Sequence, residues 1–166
     1  MKAIVHADKN WGIGKNNSLM FRIPADMKFF KQATTGNIVV MGSNTLKSLP
    51  QCKPLKDRIN IVLYPEGEDR EDCKIVHSLN ELFKEIKKYP PERVFVVGGQ
   101  MMYNTLLPYC EEALVTRVEA EGDADAFFEN LDKNENFKLI YESEPIETNG
   151  YIIRFTTYKN LSVKQF

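Results

Sequence analysis

The sequence predicts an α/β fold, an open and mostly parallel central sheet with flanking helices and an antiparallel strand pair at the C-terminus. Short apolar runs of strand length alternate with helix-forming segments through most of the chain, as at Ile38-Val39-Val40-Met41 and Val94-Phe95-Val96-Val97. Two of those runs end in glycine directly before a helix, at Gly42 and at Gly98-Gly99. Phe137 to Tyr141 and Tyr151 to Tyr158 instead alternate apolar and polar positions, the pattern of a half-exposed antiparallel pair joined near Asn149-Gly150.

The 166 residues (19.1 kDa) suit one domain spanning 1–166, long enough to bury a core without disulfides or metal. With 22 Lys and Arg against 23 Asp and Glu the net charge is −1, and the two signs are interspersed. That balance leaves no electrostatic footprint for nucleic acid or an anionic membrane, so a small molecule is the expected partner. A monomer is the expected state. Met1-Lys2 meets a charge before any signal-peptide apolar region forms, and no run approaches the roughly 18 apolar residues of a membrane span. A cytoplasmic location follows as an expectation. Cys52, Cys73 and Cys110 are odd in number and far apart, which encodes neither a disulfide framework nor a metal site.

Residues 2–7 read as a buried first strand, with His6 near its end as a packed or surface histidine. From Asp8 to Ile23 no periodicity survives, and Trp11-Gly12-Ile13-Gly14-Lys15-Asn16-Asn17 has the composition of a mobile loop. Pro24 opens a helix over 24–34, since its missing N–H needs no partner there and its φ is already helical. That helix carries Asp26 in its first turn, above Phe30 and Ala33 on the same face. The carboxylate either only complements the helix N-terminus or is a half-buried anion for a ligand with paired N–H donors.

After the strand 38–41, Gly42 frees the backbone for a tight turn, and Ser43, Asn44 and Thr45 offer N-cap oxygens for a short helix through Leu49. A two-proline loop leads to a third strand, Arg58 to Tyr64, with Arg58 at its entrance; the acidic stretch 66–72 is a solvated loop. Ile75-Val76 is a short strand, and Ser78-Leu79-Asn80-Glu81 is a capping box for a helix whose Leu79, Leu82, Phe83 and Ile86 face the core. Val94 to Val97 is a central strand, Gly98-Gly99 a junction, and Gln100 to Leu107 a helix stopped by Pro108. Two glycine-bearing junctions aimed at one edge of a parallel sheet suit the two ends of a pyrophosphate. Ala113 to Val118 is a further strand, and 119–125 is acidic and loop-like.

The ordered set Gly12-Ile13-Gly14, Asn17, Leu19, Ile23-Pro24-Ala25-Asp26-Met27-Lys28-Phe29-Phe30, Val40-Met41-Gly42-x-x-Thr45, then Val97-Gly98-Gly99 with Tyr103, resembles dihydrofolate reductase of the bacterial chromosomal type. The match runs from about Ala3 to Phe155 with its spacings kept. The resemblance implies hydride transfer from C4 of NADPH to C6 of dihydrofolate, with N5 gaining a proton from water and a loop that closes over the rings. It implies that Asp26 meets the pterin's 2-amino group and N3, steadied by Thr116, with Phe21 and Tyr103 beside the reacting rings. Ile4, Val5, Met27, Phe30, Leu49, Leu55 and Val97 become the apolar wall, and Arg58 the partner of the substrate's glutamate carboxylate.

The cofactor cradle implied by the same likeness comprises His6, Ile13, Gly14, Leu19, Gly42, Ser43, Asn44, Thr45, Ser48, Leu63, Tyr64, Val97, Gly98, Gly99, Gln100, Met101, Met102 and Tyr103. Three positions depart from the family pattern. Phe21 stands where Trp is common, and Ser43-Asn44 where a basic residue often follows Met-Gly. Gln100 replaces the third glycine of a familiar triplet. Two other readings remain at this level: a reductase of a ribosylated pyrimidine in riboflavin synthesis, and a silent pterin- or nucleotide-binding protein.

Overall fold

A computed structural model describes all residues, Met1–Phe166. Strand β1 (Lys2–Ala7) lies between two parallel neighbours, and the chain then forms β2 (Gly12–Gly14), helix α1 (Pro24–Thr34), β3 (Ile38–Gly42), α2 (Ser43–Ser48), β4 (Ile59–Leu63) and β5 (Lys74–Val76). Helix α3 (Leu79–Ile86), β6 (Val94–Gly98), α4 (Gln100–Leu106), β7 (Glu112–Val118), β8 (Ala126–Phe127), β9 (Phe137–Glu142), β10 (Ile146–Thr148) and β11 (Tyr151–Asn160) complete it. The main sheet runs β10-β11-β7-β1-β6-β3-β4-β5, parallel from β7 to β5 and antiparallel where β11 joins β7.

The expected α/β fold is the observed one. Segments β9 and β10 both pair antiparallel with β11, as one edge strand interrupted at Ser143 to Pro145, where the Ser143 hydroxyl accepts from the Phe155 amide at 2.9 Å. Asn149 (φ 51°) and Gly150 (φ 82°) make the tight reversal between β10 and β11, the left-handed pair that a two-residue hairpin requires.

Period-2 alternation sorts the side chains onto two faces. Ile38 and Val40 of β3, with Val94 and Val96 of β6, join Leu82 and Ile86 of α3 and Met102 and Leu106 of α4 in the larger core. Val39 and Met41 face the other way and pack with Leu46 of α2, Val62 and Ile75. Helix α1 also covers this second face, where Phe29 meets Phe155 at 4.8 Å between centroids and Ala25 packs near Ile23, Val118 and Ile153. The space between α1 and α2 is the cleft.

Four expectations are corrected. The stretch 8–23 is not all loop: Gly12–Gly14 pairs with Ala126–Phe127, a ladder too short to leave an alternation in sequence. None of Ser43, Asn44 and Thr45 caps α2; Gly42 is the N-cap and no side chain closes it, because β3 runs straight into the helix. The Ser78 hydroxyl accepts from the Glu81 amide, but Glu81 reaches back to the amide of His77 rather than to Ser78, so only half of the capping box forms. Leu79 is exposed (37 %), since it opens α3 at N1, at the end of the face it shares with Leu82 and Ile86.

Candidate active site

Asp26 sits in the first turn of α1, which begins at Pro24 without a side-chain cap. Both carboxylate oxygens are committed to the sheet beneath. Oδ1 accepts from the Thr116 hydroxyl at 2.7 Å, and Oδ2 accepts from His6 Nδ1 at 2.9 Å. The register of β1 against β7 puts His6 opposite Thr116, so cross-strand neighbours grip the two oxygens together. The carboxylate therefore does more than complement the helix dipole. Side-chain exposure is 13 % for Asp26 and 6 % for His6, and each carboxylate oxygen keeps a further lone pair for a ligand. His6 Nε2 is buried without any partner.

Tyr103 of α4 is buried below, donating its hydroxyl to the Ile4 carbonyl at 2.7 Å. Burial, and then the Asp26 charge, push its phenol far above the ordinary range, so it stays neutral. Phe21 packs on Tyr151 (5.1 Å) and lies 6.4 Å from the His6 ring.

Along the cleft, Met27 is exposed and Phe30 half-buried on α1, while Leu49, Leu55 and Val97 pack at the edge of the α2 core. Ile4 is buried on the floor. Val5 is not part of that wall: alternation turns its side chain into the α3 and α4 core, on the opposite face from Ile4 and His6. Arg58 lies over the far end, its guanidinium 6.0 Å from the Phe30 centroid, donating to Thr34 Oγ1 (3.1 Å) and the Lys56 carbonyl (2.8 Å). Desolvation lowers its pKa against the opposing charge of Asp57. Its remaining N–H groups are free for an anion.

The glycine junctions lie side by side, because β3 and β6 are parallel neighbours with Met41 opposite Gly98. Gly98 has φ +135°, and a Cβ there would stand 3.1 Å from Thr45 Oγ1; at Gly42 a Cβ would stand 3.1 Å from Met102 Cγ. Gly99 caps α4. Ser48 donates to the Thr45 carbonyl at 2.6 Å, and Gln100 Oε1 accepts from the Phe127 amide at 2.7 Å. Leu63 and Met102 pack in the large core and Tyr64 on the opposite face, where Lys47 lies 4.9 Å from its ring centroid. Met101 and Leu19 are each 69 % exposed.

The loop before α1 is tied down at several points. Ile13 is a buried core residue rather than part of a mobile tip. Gly14 accepts from the Asp125 amide (3.0 Å), Asn16 donates its amide to Asp125 Oδ2 (3.0 Å), and Asn17 reaches the Asn44 carbonyl (2.8 Å). Asp8 is an anchor that no sequence motif singles out. Only 1 % exposed, its carboxylate accepts from the amides of Asn10, Gly12 and Gly122, joining the loop to the segment after β7. Its signal was the Asx-turn spacing of Asp8 before Asn10.

A family model described as dihydrofolate reductase matches residues 1–160. The chain belongs to the dihydrofolate reductase family. A dihydrofolate reductase of Bacillus subtilis is 33% identical over 156 residues, covering 92% of this chain and 89% of that protein. One from Enterococcus faecium is 32% identical over 158 residues, covering 93% of both. One from Staphylococcus haemolyticus is 36% identical over 126 residues, or 75% of this chain and 74% of that protein. Membership in the dihydrofolate reductase family accounts for an α/β sheet that ends in an antiparallel pair and for a cleft over its central strands. No helix is long and apolar enough to cross a membrane.

Proposed function

We propose that this chain reduces 7,8-dihydrofolate to 5,6,7,8-tetrahydrofolate with NADPH, and that Asp26 is the carboxylate that meets the pterin. Family membership supports the reaction. The observation that carries the site reading is a half-buried Asp26 fixed by Thr116 and His6 at the mouth of a cleft whose far end holds Arg58.

Two acceptor oxygens held in one plane match the paired N–H donors of an aminopyrimidine edge, and a charge-assisted pair of this kind is about twice as strong as a neutral one. Phe30, Met27, Leu49 and Leu55 supply the apolar sides that a flat ring and a benzoyl group need. Arg58 reads the glutamate carboxylate, for which its forked donors are the right shape. The cradle fits NADPH: glycine at 42 and 98 lets the ends of β3 and β6 pack closely on Met102 and Thr45, where side chains would strike them, and the two strand-to-helix junctions lie side by side. When bound, NADPH supplies the hydride from C4 of its nicotinamide. Asp26 orients the pterin and stabilises the form protonated at N5, while the loop bearing Leu19, Met20 and Phe21 excludes water.

We read the chain as a cytoplasmic monomer without a nucleic-acid partner, which its balanced charge supports. The riboflavin-pathway and silent-binder readings are not favoured. The test is loss of nicotinamide absorbance when the purified protein meets dihydrofolate, with NADPH and NADH in parallel. Rapid oxidation of NADPH is expected; pterin binding without oxidation of either dinucleotide would overturn the reading. The ratio of the two rates measures what Ser43 and Asn44 contribute in place of a basic residue.

A further inference from the structure

The sheet floor holds one histidine whose second ring nitrogen the proposed mechanism leaves unused. His6 Nδ1 stands 2.9 Å from Asp26 Oδ2, the imidazole is 94 % buried by side-chain area, and Nε2 touches no donor or acceptor. A carboxylate can only accept, so Nδ1 carries the hydrogen and Nε2 presents its lone pair. A buried nitrogen left without a partner costs free energy, and such atoms call for a functional account.

We propose that His6 is a positioning residue for the reduction, acting through Asp26. Its Nδ1–H fixes the carboxylate against the sheet while Thr116 holds the other oxygen, so the outer lone pairs of both oxygens stay aimed at the pterin. Nε2 is the atom at which the pair gains or loses its proton: protonation there takes one proton from solvent, leaves Nδ1–H on Asp26, and changes the pair from net −1 to neutral. Substrate therefore meets a carboxylate whose effective charge is set by its imidazole partner. The inference rests on the dihydrofolate reading for its ligand, but the His6–Asp26 pair stands on geometry alone.

The groups that face the imidazole are few. Asp26 comes from α1, Thr116 from β7 and Phe21 from the loop. Asp26 is the only charged member, and Phe21 carries no polar atom to take over the role.

Two substitutions separate the two nitrogens. His6→Asn places an amide N–H close to the position of Nδ1 and offers nothing at Nε2; His6→Leu removes both. Losing a hydrogen bond to a charged group is expected to raise KM for dihydrofolate about tenfold in His6→Leu, whereas His6→Asn stays within about threefold of wild type. In the profile of kcat/KM against pH, wild type shows two ionisations and His6→Asn one. A merely structural histidine would lower the melting temperature and leave that profile unmoved. Imidazole NMR of the wild-type protein supplies a readout that needs neither turnover nor a folded variant at position 6. The chain has two histidines, His6 and His77, so His77→Gln assigns both signals. The His6 signal should shift on adding dihydrofolate and should titrate differently in Asp26→Asn. Superimposable pH profiles in all three proteins, or a His6 signal indifferent to Asp26→Asn, would overturn the proposal. If wild type failed to oxidise NADPH with dihydrofolate, the reaction assignment would fall while the NMR response to Asp26→Asn still judged the pair.

Discussion

The two walls of the cleft are built on opposite principles. On the α1 side stand charged side chains held by fixed partners: Asp26 is gripped by Thr116 and His6 of the sheet, and Arg58 is steadied by Thr34 at the end of α1. On the side where β3 and β6 end, charge is absent from Gly42, Ser43 and Asn44, and from Gly98 and Gly99, and glycine backbone packs closely on Met102 and Thr45. On the proposed reading one wall discriminates by matching donors to a fixed anion, the other by the absence of side chains at its glycines. Sensitivity to mutation should divide the same way. Removing an atom damages the first wall, and adding one damages the second.

The sharpest way to break the comparison is Asp26→Asn. It keeps the shape and loses the charge, so much of the pterin binding should survive while turnover at neutral pH falls by about 10²–10⁴-fold, the range of a positioned acid–base group. Steady-state kinetics with a separate binding titration would check it, and unchanged turnover would remove Asp26 from the site. Next comes Gly98→Ala. At φ +135° with Thr45 Oγ1 3.1 Å away, a methyl group should cost about 1–3 kcal/mol of strain. KM for NADPH should rise with it, and an unaltered KM for NADPH would mean that this wall does not depend on bare glycine backbone.

Arg58→Lys tests the far end of the charged wall. Its single ammonium cannot reproduce a forked pairing, so KM for dihydrofolate should rise about tenfold with kcat nearly kept. A fall in kcat without a change in KM would move Arg58 out of ground-state binding.

The smallest effect lies outside both walls. Burial raises the Cys110 thiol from 9.0 to about 12, so the folded state holds a proton that the unfolded chain releases. Stability from this group is present below pH 9.0 and is lost as pH rises towards about 12. Chemical denaturation across that window should show a falling unfolding free energy, with a shallower fall in Cys110→Ala. An equal slope in the two proteins would show that Cys110 does not carry the alkaline loss and would assign it to the raised tyrosines, Tyr158, held by burial and its bond to Asp132, and the buried Tyr103.

Local chemistry is legible where neighbours in sequence decide it. Pro24 starting α1, the glycines ending β3 and β6, and the Asn149-Gly150 reversal are governed by φ preferences and by missing or permissive side chains, which act over one to four residues. The Asp26 carboxylate was visible as an anomaly on an apolar stripe. Its partners were less so. A histidine in a buried strand reads as packing until β1 and β7 align and set it beside Thr116. Val5 and Ile4 are adjacent letters, yet the pleat sends them to opposite faces.

By itself, then, the sequence determined the alternation of strands and helices, the two bare junctions, the ordered motifs of the family and the acidic residue at the head of α1, since each depends on chain chemistry at short range. Tertiary structure alone decided that His6 and Thr116 share one carboxylate, that Asp8 ties the loop to Gly122, and that β2 finds β8. Those contacts join residues 20 to 115 positions apart, and no local preference encodes a pairing that exists only once the sheet brings both ends to the same place.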